Sequence, residues 1–111
     1  MITSCSVIIR KGLGQEPATL GVRAAWAMLS NADIEVKIIL LGDGVYSVLG
    51  KSGYLKKMFE RFLGEEGEAY AIREDLEARG LDEDSLPSGT TVIAAAEVSE
   101  IIGGTDSVMT F

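Results

Sequence analysis

The chain has one cysteine, Cys5, and no histidine among its 111 residues. A single thiol excludes an internal disulfide framework, and without histidine a zinc site of ordinary type has no ligand set. Long apolar runs are missing too: the longest are strand-length, so no membrane span and no membrane partner are expected. The N-terminal run Cys5-Ser6-Val7-Ile8-Ile9 is short and leads straight into Arg10 and Lys11. It does not read as a signal peptide, which makes the cytoplasm the default compartment. Cations are also scarce. Lys and Arg number 10 against 17 Asp and Glu, a formal net charge of −7. Nonspecific affinity for nucleic acid comes mostly from Lys and Arg neutralising phosphates, so direct nucleic-acid binding is not expected. No metal and no cofactor is expected.

What is present points to one compact domain over residues 1–111, because a hydrophobic content of 47% suits one core at this length and not two. Cys5 to Arg10 and Ile34 to Leu41 are rich in Val and Ile and read as central parallel strands. Between them the alanine-rich stretch from Pro17 to Asn31 spaces Leu20, Ala24, Ala27, Met28 and Leu29 along a helical stripe, with Pro17 in a first turn that tolerates it. Tyr54 to Leu63 puts Leu55, Met58, Phe59 and Phe62 on one helical face and Lys56, Lys57, Glu60 and Arg61 on the other, with Gly64 at its end. Glu68 to Ile72 reads as a third strand, Glu74 to Arg79 as a short helix, and Thr91 to Ala95 as a fourth strand. Val98 to Ile102 belongs to a last helix and Ser107 to Phe111 to a fifth strand. This alternation calls for an α/β fold with a largely parallel five-stranded sheet, helices on both faces and right-handed crossovers.

Ligands of such sheets gather beyond the carboxyl ends of the strands, which singles out the loops Lys11 to Glu16, Gly42 to Tyr46, and Arg73 to Asp75. Lys11, Gly12 and Gly14 offer a cation and flexible backbone N–H groups to an anion, or are plain turn geometry. Asp43, between two glycines, suits a general base or hydrogen-bonding anchor, or caps a turn. Arg73, Glu74 and Asp75 orient a ligand or simply start a helix. Lys11, Asp43 and Arg73 are expected near one another, since each follows a different parallel strand. Cys5 is a candidate thiol nucleophile. Five strand steps nevertheless place it ~16 Å from the carboxyl end of its strand, where a small buried cysteine is commonly a core filler. Trp26, Met58, Phe59 and Phe62 exceed what so small a domain readily hides, so self-association is expected.

Four segments stand out: Gly21-Val22-Arg23-Ala24-Ala25-Trp26-Ala27-Met28, Asp43-Gly44-Val45, Leu76-Glu77-Ala78-Arg79-Gly80-Leu81, and Asp106-Ser107-Val108-Met109-Thr110-Phe111. Together they resemble the DsrE/DsrF/DsrH (TusBCD-like) sulfur-relay family, most of all its DsrF, or TusC, branch. The resemblance implies a three-layer α/β/α sandwich that assembles with itself or with cysteine-bearing paralogues. It also implies a role in passing persulfide sulfur toward tRNA 2-thiolation or in sulfur oxidation. In carrier members the thiol ends the third strand, eight residues before the glycine of an Arg-Gly pair. That position is Ile72 here, and Cys5 does not match it. The resemblance therefore favours a non-carrier interaction subunit without catalytic activity of its own. A small-ligand or anion-binding protein, or a sulfurtransferase using Cys5, are the alternatives.

Overall fold

Five short segments, most of them rich in β-branched residues, pair into one parallel sheet. They are β1 (Ser4–Ile9), β2 (Glu35–Leu40), β3 (Glu68–Ile72), β4 (Thr90–Ile93) and β5 (Ser107–Thr110), in the order β4-β3-β2-β1-β5. Four helices connect them: α1 (Glu16–Asn31), α2 (Tyr54–Gly64), α3 (Arg73–Ala78) and α4 (Val98–Gly103). These assignments come from a computed structural model that describes residues 3–12, 16–31, 33–49 and 54–111.

The first four strands step one place at a time across the sheet, and only the last crossover returns, from β4 at one edge to β5 at the other. A reversal of direction with the usual crossover hand moves the connecting helix to the opposite face. The two cores follow from this. On one face α1 and α2 bury Ala18, Val22, Ala25, Leu55, Met58, Phe59 and Phe62 against Val7, Ile9, Val36, Ile38, Leu40, Ala69 and Ala71. On the other, Ile8, Ile39, Ile72 and Ile93 form a smaller cluster with Val98, Ile101 and Ile102 packed against it.

Two expectations need correction. Met58, Phe59 and Phe62 are 4%, 0% and 0% exposed, so the aromatic face of α2 belongs to the chain's own core. Room for it comes from small residues opposite: β3 presents Ala69 and Ala71, and a Cβ on Gly67 would stand 2.5 Å from the Phe62 ring. Of the four large side chains expected to seek a partner, only Trp26 stays partly exposed. The fourth strand stops at Ile93, because Ala95–Glu97 turn as a 3-10 helix and the Glu97 carboxylate accepts the Ala94 N–H at 2.8 Å.

The carboxyl edge of the sheet is closed by a 3-10 helix, Gly42–Tyr46, lying over the end of β1. A Cβ on Gly44 would stand 1.8 Å from the Ile9 carbonyl oxygen and 2.7 Å from its carbon, so backbone meets backbone where no side chain fits. Gly44→Ala is expected to cost at least about 3 kcal/mol, beyond ordinary core overpacking, because neither backbone segment can yield like a rotamer. Gly64→Ala, at a helix end where nothing beyond the helix's own backbone and the flanking residues lies within 4 Å of the new methyl, is expected to be neutral or to gain up to about 1 kcal/mol. Urea unfolding of the two variants checks the contrast.

Candidate functional site

Placing the 3-10 helix over the strand ends sets Asp43 beside Arg79, the residue that caps the C-terminus of α3. Arg79 donates to the Asp43 carboxylate through Nε at 3.1 Å and Nη2 at 2.9 Å, a fork in which both bonds reach one oxygen. Its Nη1 donates to the Asp75 carbonyl at 3.1 Å and lies 3.7 Å from the Asp75 carboxylate. The other Asp75 oxygen accepts the Gly42 N–H at 2.7 Å, and the guanidinium sits 5.8 Å from the centre of the Tyr46 ring. Asp43 thus faces an arginine and does not cap the turn, whose first residue follows Leu41 with no side-chain cap.

This cluster borders an opening of about 360 Å³ lined by Arg10, Lys11, Leu41, Gly42, Asp43, Asp75 and Arg79. Lys11 and Asp43 therefore line the same opening. Gly12 lies behind them, its Cβ position 3.5 Å from the Asp43 carbonyl. Gly14 falls outside the described residues. Arg73 does not join: it borders a separate depression with Leu76, Glu77, Leu81, Asp82, Glu83 and Asp84. The reason is the early start of α3, which begins at Arg73 itself and turns that side chain away with the helix. Asp75, singled out with Arg73 and Glu74, does border the opening, and Arg79 is the residue that the sequence did not single out. Its four-residue spacing from Asp75, which puts the two on one helical face, is the signal that points to it.

Chemically the opening is modest. Arg79 is committed to two carboxylates and a carbonyl, while Arg10 and Lys11 form no ion pair among the described residues. No group of His, Cys, Asp or Glu among the described residues is placed to hold a metal ion. Nearby, Glu74 accepts the Ala95 N–H at 2.9 Å, and that bond holds its carboxyl below the usual range.

Ile72, where the resemblance puts a carrier thiol, and Cys5 are both closed off. Ile72 ends β3 as expected but is 1% exposed, inside the smaller cluster beneath Val98, Ile101 and Ile102. Cys5 is 1% exposed near the amino end of β1, level with Val36 of β2 and Ser107 of β5. Burial pushes its thiol above the ordinary value, and a hydrogen bond with Ser107 offsets this only in part.

With the geometry in view, comparison with known proteins is informative. The family model described as DsrH-like protein matches residues 18–107. The chain belongs to the DsrH-like family. That family ties it to the sulfur-relay superfamily at large. No curated protein matches the chain significantly. Among solved structures, the ychN protein from E. coli is similar at a TM-score of 0.79 and 21% identity, covering 100% of both chains. A protein of unknown function from Methanobacterium thermoautotrophicum is similar at 0.75 and 18%, covering 96% of this chain and 97% of that one. At such identities the two structures establish the shared α/β fold.

Two outcomes are expected. Arg79→Ala should cost about 1–2 kcal/mol in urea unfolding, because it frees two carboxylates and a carbonyl at once. Asp43→Ala should cost under about 1 kcal/mol, since its side chain is 66% exposed and solvent screens the pair. The Cys5 thiol should react slowly with a disulfide reagent in the native protein at neutral pH and at the free-cysteine rate in denaturant, with native reactivity rising only above the ordinary thiol range.

Proposed function

We propose that this chain is a non-carrier subunit of an intracellular sulfur relay, one that binds a cysteine-bearing DsrE-like relative and accepts no persulfide itself. One observation carries the reading: the place where the resemblance puts the carrier thiol holds Ile72, buried under α4, while the only thiol lies buried toward the other end of the sheet. A persulfide acceptor must present a thiolate to a partner's sulfur, and Cys5 meets neither condition. The DsrH-like match supports the family setting. Assignment to the DsrF branch, a cytoplasmic location and a destination in tRNA 2-thiolation rest on the resemblance of the quoted segments alone. The carboxyl-edge opening serves this reading as structure, because Arg79 holds the 3-10 helix to α3.

Incubation with a cysteine desulfurase and labelled cysteine, followed by intact-mass measurement, is expected to show no added sulfur on the native chain. Stoichiometric persulfide on Cys5 would overturn the non-carrier assignment. Co-purification with a cysteine-bearing relative tests the other half, and a chain that never associates with one fails it.

A further inference from the structure

The opening at the carboxyl edge holds unengaged charge of both signs, which the structural part played there by Arg79 does not absorb. Both Arg79 bonds to Asp43 reach Oδ1, so Oδ2 accepts no hydrogen bond among the described residues. The Asp43 side chain is also 66% exposed. Asp75 is occupied, one oxygen by the Gly42 N–H and the other by Arg79. Arg10 and Lys11 line the same opening and are exposed. Their side chains form neither a hydrogen bond nor an ion pair among the described residues. Two cations and one carboxylate oxygen are therefore left for something else.

These groups decide which class of ligand fits. Leu41 is the only apolar side chain in the lining, so a hydrophobic ligand has little to pack against. A simple anion drawn to Arg10 and Lys11 meets the Asp43 carboxylate, and a simple cation drawn to Asp43 meets three cationic side chains. Either one is left beside a like charge. A zwitterion that carries its carboxylate and its ammonium on one carbon satisfies both sets at once. The volume of about 360 Å³ suits a small molecule, since ligand sites span about 300–1,000 Å³. Its place beyond the carboxyl ends of β1 and β2 is where parallel sheets take their ligands.

We propose that the carboxyl-edge opening binds a free α-amino acid. Arg10 and Lys11 donate to the ligand carboxylate and Asp43 Oδ2 accepts from its ammonium, charge-assisted bonds about twice as strong as neutral ones. Arg79 is a positioning residue: it holds Asp43 by one oxygen and leaves the other to the ligand. Binding of this kind needs no nucleophile and is independent of the persulfide question.

Saturation-transfer NMR of the wild-type protein in an equimolar mixture of the common L-amino acids, at neutral pH and low salt, should show transfer to at least one of them. Calorimetry with that amino acid should give a dissociation constant at or below about 1 mM. Propionate and propylamine, which keep only the carboxylate or only the ammonium, should each bind at least roughly 10-fold more weakly. Lys11→Ala and Asp43→Ala should each weaken the amino acid roughly 10-fold with the circular dichroism unchanged. Arg73→Ala, in the separate depression, should leave its affinity as in the wild type. A wild type that shows transfer to none of the amino acids overturns the proposal, as does an amino acid bound equally by the wild type and the Lys11 and Asp43 variants. Propionate binding as tightly as the amino acid overturns it too, reducing the opening to an anion site.

Discussion

The backbone of Gly44 against the carbonyl of Ile9 is the contact on which the arrangement of the carboxyl edge depends. With a 1.8 Å approach denied to any Cβ, only glycine allows the 3-10 helix to lie over β1 instead of standing away from the sheet. That position brings Asp43 to Arg79 and the Gly42 N–H to Asp75, so β1, the turn after β2 and α3 are tied by a few polar bonds above an apolar core. The core supplies most of the stabilisation; the glycine decides where the polar layer sits on it.

Strands and helices were legible because their periodicities are strong. Glu68–Ile72 has the bounds that its alternation suggests, and the bounds of the other elements differ by at most one residue except at the end of β4, two residues early at Ile93, where local turn chemistry outweighs an apolar pattern. Packing partners were less legible. An aromatic face on α2 looks excessive when counted against chain length, but the space left by Ala69, Ala71 and Gly67 absorbs it, and that space exists only once α2 lies across β3. In the candidate site, strand order alone brought Lys11 and Asp43 together. Arg73 left the group over a one-residue shift in a helix start, and Arg79 entered it through a side chain long enough to reach back across the turn.

Ile72, where the resemblance puts a carrier thiol, is closed off by its surroundings. The end of β3 is roofed by α4, whose Val98, Ile101 and Ile102 pack against a row of isoleucines drawn from four strands. A thiol substituted at that point would be enclosed in the same cluster.

The indole of Trp26 is the only one in the chain, and it is held between a carboxylate on its N–H and a guanidinium over its ring. Opposite charges at the two poles of one chromophore set a fixed electric field across it. Anything that draws Arg61 off the ring or Glu65 off the indole N–H changes that field, so the emission of Trp26 is an optical gauge of this corner between α1 and α2.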